Sequence, residues 1–169
     1  IMGTRCGDLD PAMSFRLAQM TGWSNQRLES MLNKESGLKG ICGANDMRDV
    51  VQLAEAGNER ARLALEMYTY RIKKYIGAYY AVLGRVDAVV FTAGIGEHAP
   101  LVRSQSCLGL EQLGIAIDPS RNDRPADATF EIQLADSPVK VLVVPTNEEL
   151  EIAEQTVRCI QSAEEETNL

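Results

Sequence analysis

Along the first half of the chain, apolar residues recur every three or four positions, the period of an amphipathic helix. Asp10-Pro11 opens a helix that places Ala12, Met13, Leu17 and Met20 on one face and closes near Gly22. Ser24 suits the N-cap of a second helix ending near Gly37. Asn45 or Asp46 starts a third, with Met47, Val50, Val51 and Ala54 inward and a stop at Gly57. The longest runs from about Glu59 to Leu83, followed by Gly84 as its stop. Its stripe is Ala61, Leu65, Tyr68, Ile72, Tyr75, Tyr79 and Leu83, and the tyrosines read as core and interface packing.

The period changes near residue 86. Val86 to Thr92 is apolar and β-branched, a buried strand that meets a Gly94-Ile95-Gly96 turn. A helix near 99–109 follows, with Glu97 and Pro100 at its start. Gly114 to Ile117 suits a short strand, and the polar segment 118–127, with two prolines, a loop. Thr129 to Leu134 alternates as a strand with one exposed face, and Val139 to Val144 suits a buried central strand. The last helix runs from about Asn147 to Ser162, with Leu150, Ala153, Val157 and Ile160 inward. Glu164-Glu165-Glu166 reads as a solvated, frayed end. The order predicts one domain over 1–169. Its segment 1–85 is mainly helical and 86–163 is β-α-β-β-β-α, an α/β sheet with helices on its faces.

Composition narrows the function. A net charge of −7 argues against broad binding to nucleic acid or an anionic membrane, while a local basic site stays open. No apolar run approaches the length that spans a bilayer, and no signal peptide is visible. The first residue is Ile1, not Met, which reads as a piece of a longer protein. Cys6, Cys42, Cys107 and Cys159 lie far apart, with no C-x-x-C and the single histidine His98. That disfavours a metal cluster or a His-based triad and favours reduced, buried thiols in a cytosol.

Four stretches carry candidate chemistry. In Met2-Gly-Thr-Arg-Cys-Gly-Asp-Leu-Asp-Pro11, Arg5 sits on a turn where its guanidinium can grip phosphoryl or carboxylate oxygens; the plainer reading pairs it with Asp8 or Asp10. In Gly43-Ala-Asn-Asp-Met-Arg48, Asp46 and Arg48 offer an acceptor and a donor at a helix start, or Asp46 is simply a cap. The strand, glycine turn and helix around Gly94 to His98 can bring N–H groups to a ligand, often a nucleotide, or be an ordinary βα turn. There a Cβ would block close approach and the positive φ a tight turn uses. In Val143-Val-Pro-Thr-Asn-Glu-Glu-Leu-Glu151, Thr146 and Glu149 fit a capping box, which leaves Glu148 free to hold Mg²⁺ through waters or to favour the helix dipole.

Together, Met2-Gly-Thr-Arg-Cys-Gly-Asp-Leu-Asp-Pro11, Asp46-Met-Arg48, Val90-Phe-Thr-Ala-Gly-Ile-Gly-Glu97 and Pro145-Thr-Asn-Glu-Glu149 resemble the acetate kinase (acetokinase) family. They stand in the family's order and span nearly the whole chain. The resemblance implies the C-terminal portion of a ribonuclease H-like/actin-like ATPase fold. It implies transfer of the ATP γ-phosphoryl group to acetate or a short homologue, with Mg²⁺, giving an acyl phosphate and ADP. It places the phosphoryl-stabilising role on Arg5 and nucleotide contact on Asp46, Met47 and Arg48. The nucleotide turn falls on Gly94, Ile95, Gly96, Glu97 and His98, and the Mg²⁺-linked carboxylate on Glu148. It further implies a cytoplasmic homodimer, with the tyrosine-rich helix at 59–83 as candidate interface and no nucleic-acid or membrane partner.

Two departures qualify the resemblance. His98-Ala99 stands where the family usually has Asn-Ser, which puts the role of His98 in doubt. The family's N-terminal half, with its phosphate loop and further catalytic groups, has no counterpart here, so the chain is expected not to catalyse the full reaction alone. A propionate- or butyrate-type relative and a non-catalytic nucleotide-binding or assembly module are the alternatives.

Overall fold

The computed structural model describes residues 1–124 and 128–167, with side chains described through 161. Five helices lead: α1 (Ala12–Thr21), α2 (Asn25–Lys34), α3 (Gly37–Cys42), α4 (Met47–Glu55) and α5 (Glu59–Leu83). Their starts are chemically marked. Ser24, Asp46 and Asn58 each accept a backbone N–H bond at the head of α2, α4 and α5. The second helix ends at Lys34, short of the predicted Gly37, because Gly37 instead opens α3. Its φ is +61°, and an added Cβ would stand 2.2 Å from the Met2 carbonyl oxygen and 2.6 Å from that of Arg5. Only glycine fits there.

Helix α5 spans two cores. In its first half Ala61, Ala64 and Leu65 pack with Leu38, Met47, Val50 and Val102. Further along, Ile76 and Tyr80 lean on the sheet core of Phe91, Ile115, Ile132, Val141 and Val143. This second contact rotates the inward stripe, so the predicted Tyr75, Tyr79 and Leu83 are exposed (44%, 61% and 66%). Helix α1 buries none of its residues, so its apolar face is left uncovered among the described residues.

The sheet has strands β1 (Ala88–Phe91), β2 (Phe130–Glu131) and β3 (Lys140–Val143) in the order β1-β3-β2. β3 is central, as its apolar run predicts, parallel to β1 and antiparallel to β2. Between β1 and β2 lie α6 (Ala93–His98), α7 (Pro100–Cys107), a 3₁₀ turn at Glu111–Leu113 and α8 (Pro119–Asn122). The predicted strand at Gly114–Ile117 shrinks to one bridge, Ile117 with Gln133. The predicted loop at 118–127 begins instead as α8, with Asp118 as its cap; residues 125–127 lie outside the described ones. This α/β arrangement is consistent with a ribonuclease H-like/actin-like ATPase domain.

Helix α9 (Glu148–Thr167) closes the described chain. Leu150, Val157 and Ile160, predicted inward, are exposed by more than half (54%, 52% and 54%). An amphipathic pattern specifies a face to bury, and among the described residues that face stays exposed. The side chains of Glu164-Glu165-Glu166 lie outside the described residues. Of the four cysteines, all free, only Cys107 is buried, and burial pushes its thiol up to about 12. Cys159 is exposed, so uniformly buried thiols do not describe this chain.

Candidate functional site

The groove is built where α4 meets α6 and α7. Asp46 caps α4: its Oδ1 accepts the Arg48 N–H at 2.9 Å. Arg48 folds back and donates from Nε to Oδ1 (3.0 Å) and from its terminal nitrogen to Oδ2 (2.6 Å). These bonds, the guanidinium first, hold the Asp46 carboxyl down at about 2. The plainer reading of Asp46 as a cap is therefore correct, and it leaves Arg48 exposed at the rim.

On the opposite wall, β1 turns into α6 within one residue. The positive φ of this turn falls on Ala93 (59°), not on a glycine, which corrects the sequence reading. Gly96 has a packing role, since a Cβ there would sit 3.2 Å from the Phe91 carbonyl carbon. At Gly94 a Cβ would meet nothing within 4 Å. Gly94 thus faces open space, as close approach of a ligand to backbone requires.

Between these walls lies a groove of ≈ 670 Å³. One wall is Asn45, Asp46, Met47, Arg48 and Val51; the other is Gly94, Ile95, His98, Ala99, Pro100 and Leu101. The volume is in the range of small-ligand sites. Two of the four sequence stretches are thereby joined. Of the site residues expected there, Gly96 and Glu97 do not line the groove. The Glu97 side chain is buried, and its Oε1 accepts the N–H and the hydroxyl of Thr146, each at 2.9 Å. These two donors hold the Glu97 carboxyl below the usual carboxylate range.

The other two stretches do not line the groove. Arg5 is exposed and, among the described residues, makes no ion pair. Both partners offered by the plainer reading are otherwise engaged. Asp8 is held by Arg71 and Tyr75 of α5, and Asp10 accepts the Ala12 N–H at 2.9 Å. The Arg5 loop is itself fixed: the Met2, Gly3 and Thr4 carbonyls accept N–H bonds from Leu38, Lys39 and Ser36. Ordering the loop in advance lowers the cost of gripping an anion.

Glu148 is the exposed first residue of α9. The predicted capping box does not form. Asn147 caps instead, its Oδ1 accepting the Leu150 N–H at 3.0 Å, because the Thr146 hydroxyl is committed to Glu97. Among the described residues no three His, Cys, Asp or Glu side chains gather as a metal site. A lone hard carboxylate suits Mg²⁺, which keeps most of its waters and takes one or two carboxylates plus phosphate oxygens.

Sequence reasoning missed Arg103. It is fully buried on α7 and donates to the Gly96 and Glu97 carbonyls (2.8 Å each) and to Asn122. Burial pulls its guanidinium below its ordinary value. The available signal was its place on the same face as Cys107, where a charged side chain must find partners.

With this geometry, the chain matches the acetokinase family over residues 1–154. The acetate kinase of Syntrophobacter fumaroxidans is 58% identical over 163 residues, covering 96% of this chain and 40% of that protein. The acetate kinase of Nitratidesulfovibrio vulgaris (strain DP4) is 60% identical over 157 residues, covering 93% and 39%. Among solved structures, the acetate kinase of Porphyromonas gingivalis superposes with a TM-score of 0.88 at 41% identity, covering 95% of this chain and 40% of that one. The propionate kinase of Francisella tularensis subsp. tularensis gives 0.83 at 42%, covering 90% and 39%. The chain therefore spans about 40% of these relatives' length. That coverage corrects the C-terminal assignment made from the sequence to a statement of extent, with no C-terminal position attached. Among the described residues, no helix is long and apolar enough to cross a membrane.

Proposed function

The chain belongs to the acetokinase family, and from that premise we propose that it supplies the nucleotide groove of a kinase that transfers the ATP γ-phosphoryl group to acetate. The observation that carries this reading is the joining of Asp46-Met-Arg48 and Gly94-Ile95 across one groove. Its floor is apolar at Met47, Val51, Ile95 and Leu101, and it has one cationic side chain, Arg48. That composition favours the nucleoside end of ATP or ADP there, with the phosphates leading away.

Phosphoryl transfer needs in-line positioning and neutralisation of charge on the equatorial oxygens. Arg5, on its pre-ordered loop, is the group we assign to that charge. Glu148 would hold Mg²⁺ through water, and the ion when bound supplies further neutralisation. His98 at the groove wall offers a ring N–H to the nucleotide. Propionate is a second acceptor reading, favoured by the likeness to the solved propionate kinase. The exposed Tyr75–Tyr79 stack on α5 is the face we assign to a homodimer, and the cytoplasm is the compartment.

The chain spans about 40% of its relatives, and we propose that it does not complete the reaction alone. A hydroxamate assay with ATP, Mg²⁺ and acetate or propionate tests this. Product above background from the isolated chain overturns the claim. Product formed only when a full-length relative carries this segment, and lost on Arg5→Ala there, supports it.

A further inference from the structure

The carboxylate of Glu97 lies between the groove and the start of α9. Its Oε1 takes both donors of Thr146 at 2.9 Å, and its Oε2 stands 3.9 Å from Nε2 of His98 on the groove wall. The backbone of the same residue is fixed from the other side, where Arg103 grips its carbonyl at 2.8 Å. Above this point β1 and β3 are still laddered, with the Val144 N–H on the Phe91 carbonyl (2.9 Å) and the Thr92 hydroxyl on the Val144 carbonyl (2.8 Å). Beyond Val144 the ladder ends, and Glu97 is what holds the departing chain. Two residues past Thr146 comes Glu148.

We infer that Glu97 is a positioning residue: through Thr146 it fixes Glu148 relative to the nucleotide groove, so that metal and nucleotide are held in register. This rests on the nucleotide and Mg²⁺ reading given above. Its oxygens face Thr146 and His98, which gives the carboxylate a role in placing the segment that carries Glu148. Its charge strengthens the two bonds from Thr146. Without them, among the described residues, the segment from Pro145 to Glu148 is tethered by the last rungs of the ladder and by the Asn147 cap on α9. Outer partners that orient a metal-linked carboxylate typically influence metal affinity by about ten- to a hundredfold.

The test uses the whole 169-residue chain and three variants, Glu97→Gln, Thr146→Val and Thr146→Ser. Calorimetry compares ADP in EDTA with ADP in Mg²⁺, and hydrogen exchange follows the Thr146 amide without ligand. Wild type gains affinity when Mg²⁺ is added. In Thr146→Val and Glu97→Gln that gain falls about tenfold, ADP in EDTA binds within about twofold of wild type, and Thr146→Ser restores the gain. Glu97→Gln also exchanges the Thr146 amide faster. Equal losses with and without Mg²⁺ would overturn the inference, since Glu97 would then merely shape the groove. An unchanged Thr146 amide would overturn it as well. Wild type that binds ADP in neither buffer would remove the reading on which it rests, a result the amide exchange keeps separate.

Discussion

Arg103 holds Asn122 at two points, donating from Nε to its side-chain oxygen at 2.8 Å and from a terminal nitrogen to its carbonyl at 2.6 Å. With the Gly96 and Glu97 carbonyls on its other arm, one buried guanidinium ties α7, α8 and the end of α6 together. Among the described residues its bonded acceptors are neutral, with the Asp123 charge nearby. Arg103→Met leaves four acceptor contacts unfilled, and each buried unsatisfied group costs about 1–3 kcal/mol. We expect urea unfolding to show a loss of about 3 kcal/mol or more for Arg103→Met. A loss within 0.5 kcal/mol, the size of an ordinary surface substitution, would contradict this clamp.

Asp46 gives a pH signature. Its carboxyl sits at about 2 in the folded chain against an ordinary value of 3.8. A depressed folded value stabilises above the unfolded value and is lost as pH falls through the folded one. The cap and the Arg48 pair should therefore contribute fully above about pH 4 and fade between about pH 4 and 2. Urea midpoints of wild type and Asp46→Ala should differ by a constant amount from pH 5 to 7 and converge below pH 4. A difference that persists unchanged at pH 2 would show that the charge is not what holds the cap.

Val157 separates the sequence pattern from the structure. If it were core, as its helical spacing predicts, truncation to Ala would cost about 1–3 kcal/mol. It is half exposed on α9, so we expect Val157→Ala to alter unfolding free energy by no more than about 0.5 kcal/mol. A cost above 1 kcal/mol would mean that α9 packs in solution.

This contrast shows what the sequence could and could not carry. Local chemistry was legible: Ser24 and Asp46 cap where their side chains dictate, and the apolar run at Val139–Val144 became the central strand. The motifs that face each other across the groove were legible as motifs. Their meeting was not, because it depends on α5 packing against α3, α4 and α7 at once. Periodicity fixes a face but not what covers it, which is why Leu150, expected inward, is exposed. Competition was also invisible. Thr146 had a local partner in Glu149 by spacing, and lost it to Glu97, 49 positions away. Buried Arg103 was hidden for the same reason, since its partners come from α6 and α8.

The central claim is that the groove between α4 and α6 holds the nucleotide, and Gly94 tests it most directly. An added Cβ there meets no protein atom within 4 Å, and the residue is not among the positive-φ glycines, so Gly94→Ala should fold normally. Calorimetric titration with Mg-ADP should show binding to wild type. Gly94→Ala should show it weakened about tenfold, roughly 1.4 kcal/mol, with circular dichroism unchanged. Equal affinity in both proteins, or no binding by wild type with an intact helical spectrum, would contradict the assignment of this groove to nucleotide.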